Sequence, residues 1–196
     1  MGRTVGLARF RTPRWEPPIV EVVPSGTLTQ VLCLREGLGL QALAGVPPLH
    51  GSDDIKGLLL ADSERRREMA RLITSVWHKS LLDGGPELDA ADQGWNALRH
   101  HLPDLDPEHL VGQWMIREFQ PVLRRVMNQP FEDPAGVPEA TSEQFVRAAV
   151  SRGLRRVIVL GLSTDYYHWT SLSGLLVIAE TTRNRPSAYR QALGEI

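Results

Sequence analysis

One short segment constrains the fold more than any other part of this 196-residue chain. The residues Val157-Ile-Val-Leu160 form a run of β-branched and apolar side chains, with Gly153 before it and Gly161 after it. Such a run, bounded by turn residues, predicts a buried strand inside a sheet. Ligands of open α/β sheets usually bind at the carboxyl ends of their strands, so the polar residues that follow Gly161 are the first place to look for a functional site.

Three other segments also have strand character: 4–11, 19–23 and 175–181. Prolines between the first two argue for edge strands or an extended arm rather than for central strands. The buried run predicts a strand over 156–162, and about a dozen residues separate it from 175–181, which allows either an antiparallel or a parallel pair. The predicted fold class is α+β: a small mixed sheet of about four strands, packed against a largely helical middle region that covers mainly one side.

Helical periodicity, together with start and stop signals, predicts most of the remaining structure. The predicted helices cover residues 27–36, 53–60, 63–82, 86–103, 106–127, 143–152 and 187–193. Thr27 is the predicted cap of the first of them. Pro121 is expected to kink the helix that contains it, because proline cannot donate a backbone hydrogen bond.

A candidate linker covers residues 130–140, which contain three prolines and Gly136. Proline and glycine at this density are typical of boundaries between folded segments. The linker would separate residues 1–129, which hold amino-terminal strands and a helical body, from a carboxyl-terminal α/β segment over 141–196. We expect the two parts to form one compact unit.

The charge balance and the cysteine content limit the kinds of binding partner and the cellular location that we expect. A formal net charge of -1 gives no overall attraction to nucleic acid or to anionic membranes, so such binding would require a local patch. The single cysteine, Cys33, lies among apolar residues and is expected to be a buried thiol. No apolar run approaches the ~18 residues of a membrane span. The chain is therefore predicted to be a cytoplasmic protein without a membrane partner.

The segment 163–171, which we call the aromatic segment, holds the densest group of chemically versatile side chains. Tyr166, Tyr167 and Trp169 form a candidate partner-binding surface if the segment is an exposed loop. Asp165 and His168 form the alternative, a catalytic pair in which the acid orients the imidazole as a general base of a small hydrolase or transferase. No diagnostic motif surrounds them, since Ser163 lacks the glycine that a nucleophile elbow requires two residues later.

A second candidate surface is the amino-terminal arm. The first fifteen residues contain no acidic side chain, and they include Arg3, Arg9, Arg11, Arg14 and Trp15. A basic arm with an aromatic residue is suited to contact an acidic protein or a phosphate backbone.

Two further patterns have the residue content of a functional site. The pattern helix, glycine break and apolar segment over residues 27–45 has the outline of a helix-turn-helix, which gives a DNA-binding hypothesis. The window 100–109 holds three histidines and three carboxylates, but their spacing fits no known ligand pattern. We therefore predict no metal site and no cofactor.

The absence of an assembled catalytic signature favours a binding or regulatory protein over an enzyme. The predicted function is to engage a macromolecular partner, a protein in the first place and a nucleic acid in the second, through the basic arm and the aromatic segment. The small enzyme and the DNA-binding protein are the alternatives, and the oligomeric state is not predicted.

Overall fold

The computed structural model describes residues 20–40, 43, 45–49, 63–82, 112–113, 115–133, 135–162 and 164–196. Its elements are, in chain order, β1 (Glu21–Pro24), α1 (Gly26–Gly37), α2 (Ser63–Leu82), a π-helix (Met115–Phe119), α3 (Gln120–Glu132), α4 (Pro138–Thr141), α5 (Glu143–Ser151), β2 (Arg156–Leu160), β3 (Tyr167–Thr170), β4 (Leu175–Ala179), α6 (Glu180–Arg183) and α7 (Pro186–Gly194). The strand predicted over 4–11 and the helices predicted over 53–60 and 86–103 lie outside the described residues.

The four strands form one mixed sheet in the order β1-β2-β4-β3. β1 is parallel to β2, β2 is parallel to β4, and β3 is antiparallel to β4. The predicted α+β class with a small mixed sheet is confirmed. The sequence left the pairing of the two apolar strands open, and the structure makes them parallel neighbours.

The sequence predicts a loop over the whole aromatic segment, and this prediction is wrong for part of it. Its residues Tyr167–Thr170 form β3, which pairs with β4 along its whole length. Aromatic and β-branched side chains favour strands when a neighbouring strand offers a free edge, and β4 offers one here. After β2 the chain crosses to the edge of the sheet, where it forms β3. It then returns to form β4, which lies between β2 and β3.

Helices cover both faces of the sheet, whereas the prediction placed them mainly on one. The first core contains residues of α1 and α2 with Ile158, Leu160, Leu175, Val177 and Ala179. The second contains residues of α3, α5 and α7 with Val157, Val159, Leu176 and Ile178. Because successive strand residues point to opposite faces, a continuous apolar run supplies both cores at once.

The N-cap of α1 is Ser25 and not the predicted Thr27. The Ser25 side chain accepts a hydrogen bond of 3.1 Å from the backbone nitrogen of Leu28, which is the usual N-cap geometry. Nine of the twelve residues of α1 are buried, among them Arg35 and Glu36 near its end.

A π-helix lies where the sequence predicted a kink at Pro121. Proline has no N–H to donate to the carbonyl of Arg117, so the regular α-helical bond is absent and the chain widens to a π-turn before α3 begins. After this break α3 continues through Pro130 to Glu132, and α4 follows, so part of the predicted linker 130–140 is helical. Pro130 is tolerated because it lies in the last turn of α3, where only one bond is lost.

The turn between β3 and β4 depends on Gly174. Its φ angle is +66°, a left-handed conformation that other residues rarely adopt, and an added Cβ would lie 2.5 Å from the carbonyl oxygen of Gly153. We expect Gly174→Ala to lower the free energy of unfolding by about 2 kcal/mol, measured by urea denaturation. Gly194→Ala is the matched control, because Gly194 is helical and has open space around it. Equal effects of the two substitutions would contradict this account of the turn.

Candidate binding edge of the sheet

β3 is the last strand of the sheet that the described residues form, and among these residues only one of its two sides is paired. Ala179 lies opposite Tyr166 in the register of β3 and β4, and its backbone nitrogen donates a 2.8 Å hydrogen bond to the carbonyl of Tyr166. In an antiparallel pair, residues whose backbone N–H and C=O groups point toward the neighbouring strand alternate with residues whose backbone groups point away from it. The backbone groups of His168 and Thr170 therefore also point toward β4.

The backbone groups of Tyr167 and Trp169 point away from the sheet by the same alternation. Neither residue has a backbone hydrogen bond on that side in the part of the chain that the structure describes. Two N–H groups and two carbonyls thus form an open hydrogen-bonding edge, which we call the β3 edge.

The side chains of Tyr167 and Trp169 lie on the face covered by α3, α5 and α7, where both are half-buried. The Tyr167 hydroxyl donates a 2.6 Å hydrogen bond to Glu195, just beyond α7, and this bond raises the pKa of Tyr167. This bond holds the Tyr167 ring beside the β3 edge, and packing against the same core holds the Trp169 ring there.

His168 lies on the opposite face and is exposed. Burial of part of its ring, and then the charge of His78 on α2, lower the pKa of His168 below its usual value. The lowered pKa favours the neutral form of this imidazole, which lies in the middle of β3.

Asp165 lies before β3, at the carboxyl end of the parallel strands. Its carboxylate accepts hydrogen bonds from the guanidinium of Arg185 and, at 3.2 Å, from the hydroxyl of Thr182. The bond from Arg185 is the main cause that lowers the pKa of Asp165. No hydrogen bond among the described residues joins Asp165 to His168. The catalytic role of Asp165 and His168 stays a prediction. In this conformation the Asp165 carboxylate is bonded to Arg185 and Thr182 and not to His168.

Tyr166 differs from the other aromatic residues of the segment. Its backbone nitrogen donates to Thr182, and its side chain packs against the core that contains α1 and α2. Burial raises the pKa of Tyr166 to about 12, and its hydroxyl has no hydrogen-bond partner among the described residues. It covers the core rather than contributing to the exposed edge, and Ser163 lies outside the described residues.

The described residues include only part of the other predicted sites. Arg3, Arg9, Arg11 and Arg14 lie outside the described residues, as does the histidine-rich window 100–109. In the segment 27–45, α1 is followed by a turn, Leu40 is 4% exposed and Leu43 is not helical. The described residues of this segment do not form a second, exposed helix.

Sequence reasoning missed a buried ion pair below the carboxyl end of the sheet. Arg183 in α6 is 3% exposed and donates hydrogen bonds of 2.9 and 2.6 Å to the two carboxylate oxygens of Glu139 in α4. Gln129 accepts a third bond from Arg183, and the Tyr189 hydroxyl donates to Glu139 at 2.9 Å. These four side chains join α3, α4, α6 and α7, and they leave little free capacity for a ligand. The only sequence signal was that charged residues directly follow the apolar strand β4.

No helix in the described ranges combines the length and the apolar character that crossing a lipid bilayer requires. Within the same ranges, no three side chains of histidine, cysteine, aspartate or glutamate converge as a metal site would need. Comparison with known protein families, with curated proteins and with solved structures gave no match to this chain.

Proposed function

We propose that this chain is a protein-binding module that receives an extended segment of its partner at the β3 edge. The observation that carries the proposal is the outward-facing backbone of Tyr167 and Trp169, which no described residue pairs. Main-chain hydrogen bonds to such an edge supply affinity for an added strand, and side-chain contacts on either face supply specificity.

The β3 edge lacks the features by which proteins usually protect their edge strands. Proline, lysine and inward-pointing charges are common protective features, and β3 consists of tyrosine, histidine, tryptophan and threonine. β1, the strand at the other end of the described sheet, carries Glu21 and ends in Pro24. The unprotected edge is the one that carries two half-buried aromatic rings and an exposed imidazole.

The length of β3 sets the strength of the interaction. Tyr167 and Trp169 provide two pairs of backbone hydrogen bonds, each bond adding about 1 kcal/mol net. Cross-strand contacts of their half-buried rings add a comparable amount. The predicted basic arm, with Arg9, Arg11 and Arg14, would supply further contacts, and the predicted setting is the cytoplasm.

A proline substitution tests the proposal directly. Tyr167→Pro removes an outward N–H but no bond to β4, because proline is tolerated where the strand edge faces solvent. We expect heptapeptides selected on the wild-type protein from a random displayed library to bind Tyr167→Pro at least roughly tenfold more weakly, by calorimetry. Tyr167→Ala, which keeps the N–H and loses only the ring, should weaken binding less.

Amide hydrogen exchange gives a second readout of the same binding. The selected peptides should slow exchange at Tyr167 and Trp169 and leave the amide of His168, which already faces β4, unchanged. Equal affinity for the wild-type protein and Tyr167→Pro, or a library that yields no binder, would show that the proposal is wrong.

A further inference from the structure

We infer that the strand received by the β3 edge is β3 of a second copy of this chain. The inference rests on the proposed use of this edge and names its partner. The two strands would run antiparallel about a two-fold axis and would join the two sheets into one.

The backbone of β3 is complementary to itself in one register. Tyr167 and Trp169 carry the outward-facing groups, and they lie symmetrically on either side of His168. A two-fold axis at His168 places Tyr167 opposite Trp169 of the second copy, and the reverse pair forms by symmetry. Each pair exchanges two hydrogen bonds, so all four outward N–H and carbonyl groups of each copy are satisfied.

The side chains are complementary in the same register. Tyr167 and Trp169 lie on one face of the sheet, so each ring meets an aromatic ring of the second copy directly across the strands. Such aromatic pairs are among the more favourable cross-strand contacts. On the other face, two His168 rings meet at the axis, and the lowered pKa of His168 favours the neutral form, which reduces charge repulsion there.

The size of the contact predicts a reversible dimer. Two four-residue strands bury less surface than a typical permanent interface, so the dissociation constant is expected in the micromolar range. The test must therefore detect a weak complex as well as its geometry.

Disulfide trapping of His168→Cys tests the geometry. The two positions at the axis form a non-hydrogen-bonded pair with Cα atoms about 4.5 Å apart, which lies within the range that a disulfide spans. The chain has one native cysteine, Cys33, whose thiol is buried and whose pKa burial raises to about 12, so it does not compete. We expect His168→Cys to form a covalent dimer on mild oxidation roughly tenfold or more faster than the control Leu172→Cys, because pairing raises the effective thiol concentration.

Leu172 is a demanding control, because it is 85% exposed and lies in the turn next to β3. Sedimentation equilibrium of the wild-type protein from ~5 to ~500 μM should show a reversible dimer that Tyr167→Pro abolishes. Equal trapping rates at the two cysteines, a monomer at all concentrations, or a dimer that survives Tyr167→Pro would overturn the inference. If the protein is monomeric but the selected heptapeptides still require the Tyr167 N–H, this inference fails and the proposed function stands.

Discussion

Replacing Arg183 by methionine is expected to lower the free energy of unfolding by about 3–5 kcal/mol. The substitution removes the charge and the donors that meet Glu139, while it keeps most of the apolar stem. Glu139 would then stay largely buried, with only the Tyr189 hydroxyl of its present partners to bond with. Urea denaturation followed by far-ultraviolet circular dichroism measures the change.

An exposed ion pair provides the matched control. Arg147 and Glu143 lie one helical turn apart in α5, and both side chains are 54% exposed. Arg147→Met should therefore cost less than about 1 kcal/mol. A double variant, Arg183→Met with Glu139→Leu, should recover part of the loss, because no buried charge is then left unpaired. Equal costs for Arg183→Met and Arg147→Met would show that burial does not strengthen the first pair.

Trp77→Ala should destabilise the protein by a similar amount, about 3–5 kcal/mol, through the cavity that it leaves. Trp77 lies in the carboxyl-terminal half of α2, is fully buried, and belongs to the core on the α1 and α2 face of the sheet. Its indole N–H has no hydrogen-bond partner among the described residues. Trp77→Phe should therefore cost clearly less than Trp77→Ala, because it keeps an aromatic ring and removes an unsatisfied donor.

Leu82→Ala is the control for this pair of variants, since Leu82 lies at the end of the same helix and is 52% exposed. Its effect should stay within about 0.5 kcal/mol. Unfolding in urea, followed by circular dichroism, compares the three variants without relying on the altered fluorophore. A cost for Trp77→Phe equal to that for Trp77→Ala would contradict the role assigned to the indole nitrogen.

The sequence predicted the elements whose state is decided locally. The apolar run at Val157 has few ways to be buried except inside a sheet. The periodic stripe predicts the buried face of α2, and the capping residue and the glycines that follow predict its bounds near Ser63 and Leu82. β3 was not predicted, because its four residues become a strand only when β4 lies beside them. The parallel pairing of β2 and β4 depends on that same placement, which no local pattern encodes.

The sequence predicted residues of the candidate site but not the groups that are available for binding. It indicates Tyr167 and Trp169 for their aromatic rings, whereas in the structure their backbone N–H and C=O groups are the ones left without partners among the described residues. The partners of Asp165 could not be read from its surroundings, because Arg185 lies twenty residues further along the chain. Sequence periodicity does not report which long-range contacts satisfy a charge, and the burial of Arg183 went unrecognised for the same reason.

The pairing of β1 with β2 brings together residues made far apart in time. Glu21 and Arg156 are register partners separated by 135 positions, and their side chains form a 2.6 Å hydrogen bond. At ordinary translation rates, roughly ten seconds pass on the ribosome between the synthesis of the two. Throughout that interval β2 and β4 have not yet been made, so the nascent β1 and α1 must wait for the strands against which they pack.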